Sequence, residues 1–164
     1  INITGYEAEE ILRGRGIQVE MSDCFHVVLI CTIIDTQREM DALVKACSSM
    51  IKDVQKKSSK ALNQHKTPNY TIPRISLSIS REIPKQMLSP REAFYSKTEK
   101  IPLKESIGRI SAVAVGAYPP GIPRYCPGEL IEAEGIEELI QIKKHGGTLF
   151  GISAEVEDMI SVIE

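Results

Sequence analysis

The sequence lacks tryptophan altogether, and only 5% of its 164 residues are aromatic. It also lacks an excess of either charge, because 20 lysines and arginines stand against 22 aspartates and glutamates. Proteins that bind nucleic acid usually combine a basic surface with aromatic side chains on which bases stack. The composition therefore disfavours nucleic-acid binding, and it favours proteins or small molecules as partners.

Long apolar runs are missing as well. The longest run, residues 27–34, is far shorter than the ~20 residues that a membrane-spanning helix needs, and no signal-peptide pattern opens the sequence. The four cysteines form no CxxC pair and no cluster with histidine at zinc-binding spacing. We therefore expect a soluble, cytoplasmic protein with reduced thiols, without a membrane span and without a metal site.

The beginning of the sequence predicts a helix followed by a strand. Residues 6–13 carry acidic residues in a first helical turn, and Gly14 and Gly16 end that helix. Apolar residues then alternate with polar ones over residues 17–21, which is typical of a strand with one buried face. On this strand Glu20 points away from the side that its neighbours bury.

A second strand and a second helix are predicted next. Residues 27–34, with the sequence VVLICTII, are apolar and mostly β-branched, which is typical of a central strand covered on both faces. Asp35 and Thr36 offer helix-capping groups, and apolar residues then recur every three or four positions from Met40 to Val54. The spacing predicts a helix of about five turns, which ends near Lys56.

Domain boundaries follow from composition. Residues 1–56 form a small helix-strand-strand-helix unit, which would be the end of a small domain, and residues 57–73 are polar and basic, as in a linker. Residues 74–164 are then a second, mixed α/β C-terminal domain. The predicted fold class is α+β.

The second domain shows several separate signals. Ile72, Ile75, Leu77 and Ile79 suggest an extended segment, and Ser89 with Pro90 starts a helix. Residues 110–115 predict a buried strand. Residues 118–128 are too rich in proline and glycine for a helix or a central strand, and they predict a shaped loop.

The end of the sequence predicts one more helix and one more strand. The helix covers residues 136–142 and is terminated by Gly146 and Gly147, and the strand covers residues 159–163. The histidines are scattered, and we expect them to be packing or surface residues. For Arg109 we expect a structural ion pair.

Four blocks of the sequence resemble the C-terminal third of the fold-type-I ornithine/lysine/arginine decarboxylases. They are residues 4–8 (TGYEA) with 16–20 (GIQVE), residues 88–95 (LSPREAFY), residues 108–112 (GRISA), and residues 118–123 (YPPGIP) running on to Pro127-Gly128-Glu129. The second and fourth blocks are long and unusual, so coincidence is far less plausible than for a lone glycine pattern.

The resemblance implies a homodimeric or larger cytoplasmic enzyme that decarboxylates a basic amino acid with pyridoxal phosphate. Arginine is the favoured substrate, and lysine and ornithine stay open. The family's Schiff-base lysine and the aspartate that pairs with the pyridine nitrogen belong to an upstream domain of the same chain. Nothing here resembles the Ser-x-His-Lys surroundings of that lysine, so the resemblance implies that this fragment binds no cofactor and is inactive alone.

Two groups of site residues follow from the resemblance. Glu20 matches a glutamate that lies near the distal cation of the bound substrate, and its alternative role is a solvated strand residue. Tyr118, Pro119, Pro120 and Gly121, with Glu129 beyond them, are candidates for a wall of the active-site entrance. Their alternative role is a rigid structural turn.

A different class of function stays open. The chain could be a stand-alone α+β ligand-binding or interaction module that descends from such an enzyme and has no catalytic activity. The gene upstream of Ile1 discriminates between the two hypotheses, because only an enzyme would encode a pyridoxal-phosphate domain there.

Overall fold

The computed structural model describes residues 3–62, 83–154 and 157–164, with the backbone alone at residues 57–62 and 154. The chain divides into two compact units, Ile1–Arg74 and Ile75–Glu164. Among the described residues no helix has the length and apolarity that crossing a membrane requires. The extended segment predicted around Ile72 to Ile79 lies outside the described residues.

The first unit opens with helix α1 (Gly5–Arg13), whose start is fixed by a capping box. The Thr4 hydroxyl accepts a hydrogen bond from the Glu7 amide at 3.2 Å, and the Glu7 carboxylate accepts one from the Thr4 amide at 2.8 Å. Gly5 is required at the first helical position. A Cβ atom there would lie 2.2 Å from the carbonyl oxygens of Asp23 and His26.

A short antiparallel pair follows α1, formed by β1 (Met21–Ser22) and β2 (Val27–Val28). Helix α2 (Gln37–Leu62) then closes the unit. The Arg15 guanidinium joins α1 to α2, because it donates to the Ala46 carbonyl and pairs with Asp53, both at 2.8 Å. The core combines residues of α1, α2 and the segment before β1: Ala8, Leu12, Val19, Ala46, Met50 and Val54.

The order helix, strand, strand, helix is confirmed, but two strand predictions in this unit are wrong. Residues 17–20 are not a strand, although their burial alternates as expected, with Val19 buried and Glu20 exposed. The central strand at residues 27–34 shrinks to β2, and Ile33 and Ile34 are 104% and 84% exposed. The reason is physical: a central strand needs neighbours on both edges, and among the described residues β2 has one neighbouring strand, of two residues.

Helix α2 is also longer than the apolar pattern indicates. It contains 26 residues and continues to Leu62, whereas the pattern predicts an end near Lys56. Four of the six residues after Lys56 are polar, but lysine, alanine and leucine are good helix formers and do not end a helix. Residues 57–62 of the predicted linker are therefore helical, and the remaining linker residues lie outside the described part of the chain.

The second unit begins with helix α3 (Pro90–Tyr95), which starts where the sequence predicts. The Ser89 hydroxyl accepts from the Glu92 amide, and the Glu92 carboxylate accepts from the Ser89 amide at 2.8 Å. Strand β3 (Thr98–Pro102) and a 3-10 turn at Leu103–Ser106 follow. Strand β3 was not predicted, because its exposed residues show no apolar alternation.

Two three-stranded antiparallel sheets organise this unit. One has the order β3-β8-β7, with β7 at Ile152–Ala154 and β8 at Asp158–Ile163. The other has the order β5-β4-β6, with the strands Val115–Tyr118 (β4), Pro123–Tyr125 (β5) and Thr148–Phe150 (β6). Helix α4 (Ala133–Lys144) lies between β5 and β6 in the sequence.

The core of the second unit is formed by β4, β5, α4, β8 and their connections: Leu103, Val115, Tyr125, Ile131, Ile136, Leu139, Ile160 and Val162. The fully buried Tyr125 fixes the start of α4. Its hydroxyl donates to the Glu132 carbonyl and accepts from the Glu132 amide, both at 3.0 Å. A Cβ atom at Gly135 would lie 2.0 Å from that hydroxyl oxygen.

Helix α4 and the final strand β8 are confirmed, but two other predictions for this unit need correction. The strand predicted at residues 110–115 begins only at Val115, because Ile110 and Ser111 form isolated bridges with Leu130 and Val162 instead. The proline-rich residues 118–128 are not loop throughout, since they contain β5. Pro123 is tolerated there because β5 is an edge strand.

Candidate functional site

Glu20 lies just before β1, at the point where the chain enters the hairpin of the first unit. Its amide donates to the Val28 carbonyl at 2.9 Å, which holds the backbone in place. Its side chain is exposed, and it forms no ion pair or side-chain hydrogen bond within the described part of the chain. The carboxylate is therefore accessible to a cationic group.

The turn between β1 and β2 carries further polar groups. The Asp23 carboxylate accepts from the amides of Phe25 and His26 and contacts the His26 ring nitrogen Nδ1 at 3.0 Å. Partial burial opposes ionisation of Asp23, but these hydrogen bonds and the nearby His26 outweigh it and lower the pKa of the carboxyl group. These contacts of Asp23 stabilise the turn between β1 and β2.

Tyr6 of α1 also faces negative charge. Burial, together with the neighbouring groups Cys24, Asp23 and Glu9, raises the pKa of the Tyr6 phenol to about 12. The phenol therefore stays protonated at neutral pH. Tyr6 lies in the first family block, but neither Tyr6 nor Asp23 was predicted as a site residue, because their proximity depends on the fold of the turn.

In the second unit, Tyr118 is the last residue of β4, and the other three candidates, Pro119, Pro120 and Gly121, lie in the connection from β4 to β5. Tyr118 pairs with Thr148 on one edge, and its side chain is 63% exposed. The peptide bonds before Pro119 and Pro120 are both cis. The Gly121 amide donates to the Ala117 carbonyl at 2.9 Å, which closes the turn.

Gly121 is the residue that lets this turn close beside an aromatic ring. Its φ of 84° lies in the left-handed region that favours glycine, and an added Cβ atom would lie 3.2 Å from the Tyr118 ring. Beyond the turn, Arg124 pairs with Glu138 of α4 at 3.1 Å. The turn is thus a tight structure whose base is tied to α4, with the exposed side chains of Tyr118 and Ile122 on its surface.

Glu129 lies at the other end of the β4–β5 hairpin, because Tyr125 pairs with Val115 at the start of β4. Its carboxylate accepts from the Cys126 amide at 2.7 Å, and its own amide donates to the Cys126 carbonyl. The structure therefore does not bring Glu129 together with Tyr118 to Gly121. The contact that it does show for Glu129 is a turn-stabilising one.

A groove in the second unit was not anticipated from the sequence. It has a volume of about 520 Å³ and lies where the 3-10 turn, the end of α4 and the start of β8 meet. Lys143 and Asp158 form an ion pair at its wall, while Leu103 and Ile140 supply apolar surface. Its residues come from three distant parts of the sequence, so no local pattern could reveal it.

No described residue forms a site for a metal or for a lysine-bound cofactor. Groups of three or more metal-ligating side chains are absent from the described ranges. A lysine that anchors an aldehyde cofactor has to be desolvated to become reactive. Every lysine whose side chain is described is exposed instead: Lys45, Lys52, Lys56, Lys85, Lys97, Lys100, Lys104, Lys143 and Lys144.

The expected structural role of Arg109 is confirmed, since its guanidinium contacts Glu99 and donates to the Ile163 carbonyl at 2.8 Å. The four cysteines are free thiols. Cys24 is buried, whereas Cys31 is exposed because it lies in the segment that fails to form a strand.

Comparison with known proteins relates the whole chain to bacterial decarboxylases. The arginine decarboxylase of Bacillus subtilis is 36% identical over 165 aligned residues, which cover all of this chain and 31% of that protein. The arginine decarboxylase of Bacillus anthracis is 39% identical over 138 residues, which cover 84% of this chain and 26% of that protein. The chain thus spans less than a third of the length of these relatives.

Solved structures share the fold at low sequence identity. The lysine decarboxylase of Francisella novicida matches with a TM-score of 0.74 and 23% identity, over 99% of this chain and 28% of that one. The constitutive lysine decarboxylase of E. coli matches with a TM-score of 0.75 and 16% identity, over 99% of this chain and 28% of that one. The α+β fold class is thereby confirmed.

A family model describes the second unit directly. The model of the Orn/Lys/Arg decarboxylase C-terminal domain matches residues 74–159. That match covers more than half of the chain, and the bacterial relatives extend the similarity over the first unit. The chain therefore belongs to the Orn/Lys/Arg decarboxylase family and contains its C-terminal domain.

Proposed function

We propose that this chain is the C-terminal part of a cytoplasmic, pyridoxal-phosphate-dependent enzyme that decarboxylates arginine, with lysine and ornithine as the alternative substrates. The observation that carries the proposal is the similarity to four curated bacterial arginine decarboxylases at 36–39% identity. Lysine and ornithine decarboxylases are matched over a shorter segment or at lower identity, 33% over 89 residues and 24% over 176. Decarboxylation rates of the full-length enzyme with arginine, lysine and ornithine test the choice; a preference for lysine or ornithine contradicts it.

The cofactor belongs to the upstream domain in this proposal. Members of the family are generally pyridoxal-phosphate-dependent, but the described lysines of this chain are all exposed and do not fit an anchoring role. The chain alone is accordingly inactive. Sequencing the gene upstream of Ile1 tests this point, since the absence of a cofactor-binding domain there would favour the stand-alone binding module.

Glu20 is proposed to bind the distal cationic group of the substrate. A long basic amino acid needs a carboxylate at its far end, and the Glu20 carboxylate is exposed and free of partners within the described residues. Its backbone is held by the hydrogen bond to Val28. A charge-assisted hydrogen bond in a partly desolvated cleft would then select for a substrate with a terminal cation.

The variant Glu20→Gln in the full-length enzyme tests this role. It keeps the shape of the side chain and removes the charge, so we expect the KM for arginine to rise roughly 10- to 100-fold, the range of a lost hydrogen bond to a charged group. Glu10→Gln is the matched control, because Glu10 is another exposed glutamate of the first unit. A KM unchanged in Glu20→Gln removes Glu20 from the binding site.

The turn of Tyr118, Pro119, Pro120 and Gly121 is proposed to form a wall of the active-site entrance, either of the same subunit or of a neighbouring one in the homodimer or larger homo-oligomer. Its support is the pair of exposed apolar side chains, Tyr118 and Ile122, held on a tight turn. Glu129 lies at the other end of the β4–β5 hairpin, and in this proposal it contributes only by stabilising the chain at Cys126, at the base of that hairpin.

Hydrogen exchange of residues 117–123 in the intact oligomer tests this second role. We expect slower exchange after addition of a non-reactive arginine analogue, because bound ligand shields an entrance wall. Unchanged exchange would assign the turn a purely structural role. Sedimentation of the same preparation measures the oligomeric state, and a monomer would contradict the proposed assembly.

A further inference from the structure

A hydrogen bond between two side chains attaches the β1–β2 hairpin to helix α1. The Ser22 hydroxyl of β1 donates to one oxygen of the Glu9 carboxylate of α1. The other oxygen of that carboxylate accepts from the Arg13 guanidinium, one turn further along the helix. Each oxygen of Glu9 therefore has its own partner, which fixes the orientation of the carboxylate toward β1.

This attachment is largely shielded from solvent. Ser22 is 2% exposed, and the side chain of Glu9 is 18% exposed. A hydrogen bond to a charged acceptor is stronger than one between neutral groups, and it gains further strength where water is excluded. The Gly5 amide also donates to the Cys24 carbonyl at 3.3 Å, just beyond β1. The hairpin is thereby joined to α1 at two points, one of which is a charge-assisted bond.

Glu20 lies two residues before Ser22, at the entry to the hairpin. Its side chain forms no hydrogen bond or ion pair within the described residues, so the backbone alone determines where its carboxylate lies. That backbone is held by the hydrogen bond from the Glu20 amide to Val28 and, through Met21, by whatever holds Ser22. A binding group has to be held to within about 0.5 Å by the residues that support it.

We propose that Ser22 is a positioning residue for substrate binding: its hydrogen bond to Glu9 holds the start of β1 so that the Glu20 carboxylate meets the distal cation of the substrate. The proposal rests on the proposed function, because it takes Glu20 to bind that cation. Ser22 and Glu9 themselves touch no substrate. Removal of either partner of this bond should therefore have the same effect, and the effect should depend on the presence of Glu20.

Steady-state kinetics of the full-length enzyme are the direct test. We expect Ser22→Ala to raise the KM for arginine about three- to tenfold, because a binding group misplaced by about 1 Å can cost up to roughly a hundredfold. The kcat should change less than about twofold, because the distal contact is made equally in the ground state and in the transition state. Ser48→Ala, at an exposed serine of α2, is the control and should change neither constant. An unchanged KM in Ser22→Ala would overturn the inference.

A double variant separates positioning of Glu20 from a general structural effect. If Ser22 acts through Glu20, the variant with both Glu20→Gln and Ser22→Ala has the KM of Glu20→Gln alone, because no charge is left to position. Increases in KM that multiply would show that Ser22 acts independently, which would overturn the inference and leave the role of Glu20 standing. An unchanged KM in Glu20→Gln alone would overturn the role of Glu20 and the inference with it.

Variants of Glu9 test the same bond from its other side. Glu9→Gln keeps a side-chain oxygen that can accept from Ser22, so we expect a KM for arginine close to that of the unaltered enzyme. Glu9→Ala removes the acceptor and should show the KM of Ser22→Ala. If Ser22→Ala fails to give soluble enzyme, Glu9→Ala decides the question, because the alteration then lies at the more exposed partner. An unaltered KM in Glu9→Ala would overturn the inference.

Discussion

The two units of the chain differ in how completely they bury their apolar side chains. The core residues of the second unit are 0–3% exposed and include large side chains such as Tyr125, Leu139 and Ile160. Those of the first unit are 2–8% exposed and include two alanines. The first unit also leaves Ile30, Ile33 and Ile34 largely in solvent.

The two units also differ in the number and length of their strands. Over the described ranges, the second unit contains two three-stranded sheets, whereas the first contains one pair of two-residue strands. A two-stranded hairpin is marginal in water without more strands or good cover. Among the described residues, the second unit therefore combines the more extensive sheets with the more completely buried core.

The largest expected effect comes from cavities made in the second unit. Leu139→Ala removes a side chain that is 1% exposed and should lower the free energy of unfolding by about 3–5 kcal/mol. Ile34→Ala in the first unit should cost less than about 0.5 kcal/mol, because Ile34 is 84% exposed. Urea titration of this chain, followed by hydrogen exchange in each unit, measures both. Similar losses of unfolding free energy in the two variants would contradict the difference in burial between the two units.

A smaller effect is expected at glycines with positive φ. Gly128 has a φ of 89°, and an added Cβ atom would lie 2.1 Å from the Leu88 carbonyl oxygen, so Gly128→Ala should cost about 2–3 kcal/mol. Gly16 of the first unit has a φ of 78° with open space around it. Gly16→Ala should therefore cost only about 1 kcal/mol of backbone strain. Thermal unfolding distinguishes the two, and equal costs would mean that the contact at Leu88 relaxes.

The smallest effect concerns acid sensitivity of the first unit. The folded state lowers the pKa of Asp23 below its ordinary 3.8, so its ionised form adds stability above that value. This contribution is lost as the pH falls below about 3.8 and through the lower pKa of the folded state. Asp23→Asn should therefore reduce the difference in melting temperature between pH 7 and pH 3. An unchanged difference would show that Asp23 does not contribute.

Helix starts and ends were predictable because their causes are local. The predicted cap Ser89 lies within three residues of the amide that it satisfies, and Gly146, with a φ of 97°, follows the C-cap residue of α4. The start of α1 was predicted one residue late, at Tyr6, because the cap Thr4 was not recognised. Long helices with a regular apolar stripe are equally visible. The sequence pattern misses the extension of α2 to Leu62, because this extension is mostly polar and its composition resembles that of a linker.

Strands were less predictable because their partners are distant in the sequence. Strand β3 is mostly polar and exists because it pairs with β8, about sixty residues later. At residues 27–34 the sequence pattern predicts a buried strand, but within the described residues only Val27 and Val28 pair with another strand.

Of the candidate site, the sequence itself predicts only that Glu20 is exposed beside the buried Val19. The role of Glu20 in binding substrate comes from the family resemblance and stays a prediction. The separation of Glu129 from Tyr118 could not be predicted, because it depends on the pairing of Tyr125 with Val115.

The contact between Tyr125 and Gly135 has a consequence for how this family can evolve. The tyrosine hydroxyl occupies the space in which any side chain at position 135 would begin, and it also supplies the polar partner for Glu132. A larger residue at position 135 thus requires loss of the tyrosine ring and a new hydrogen-bond partner for the backbone of Glu132 at the start of α4. We expect positions 125 and 135 to vary together among homologous sequences, as a linked pair.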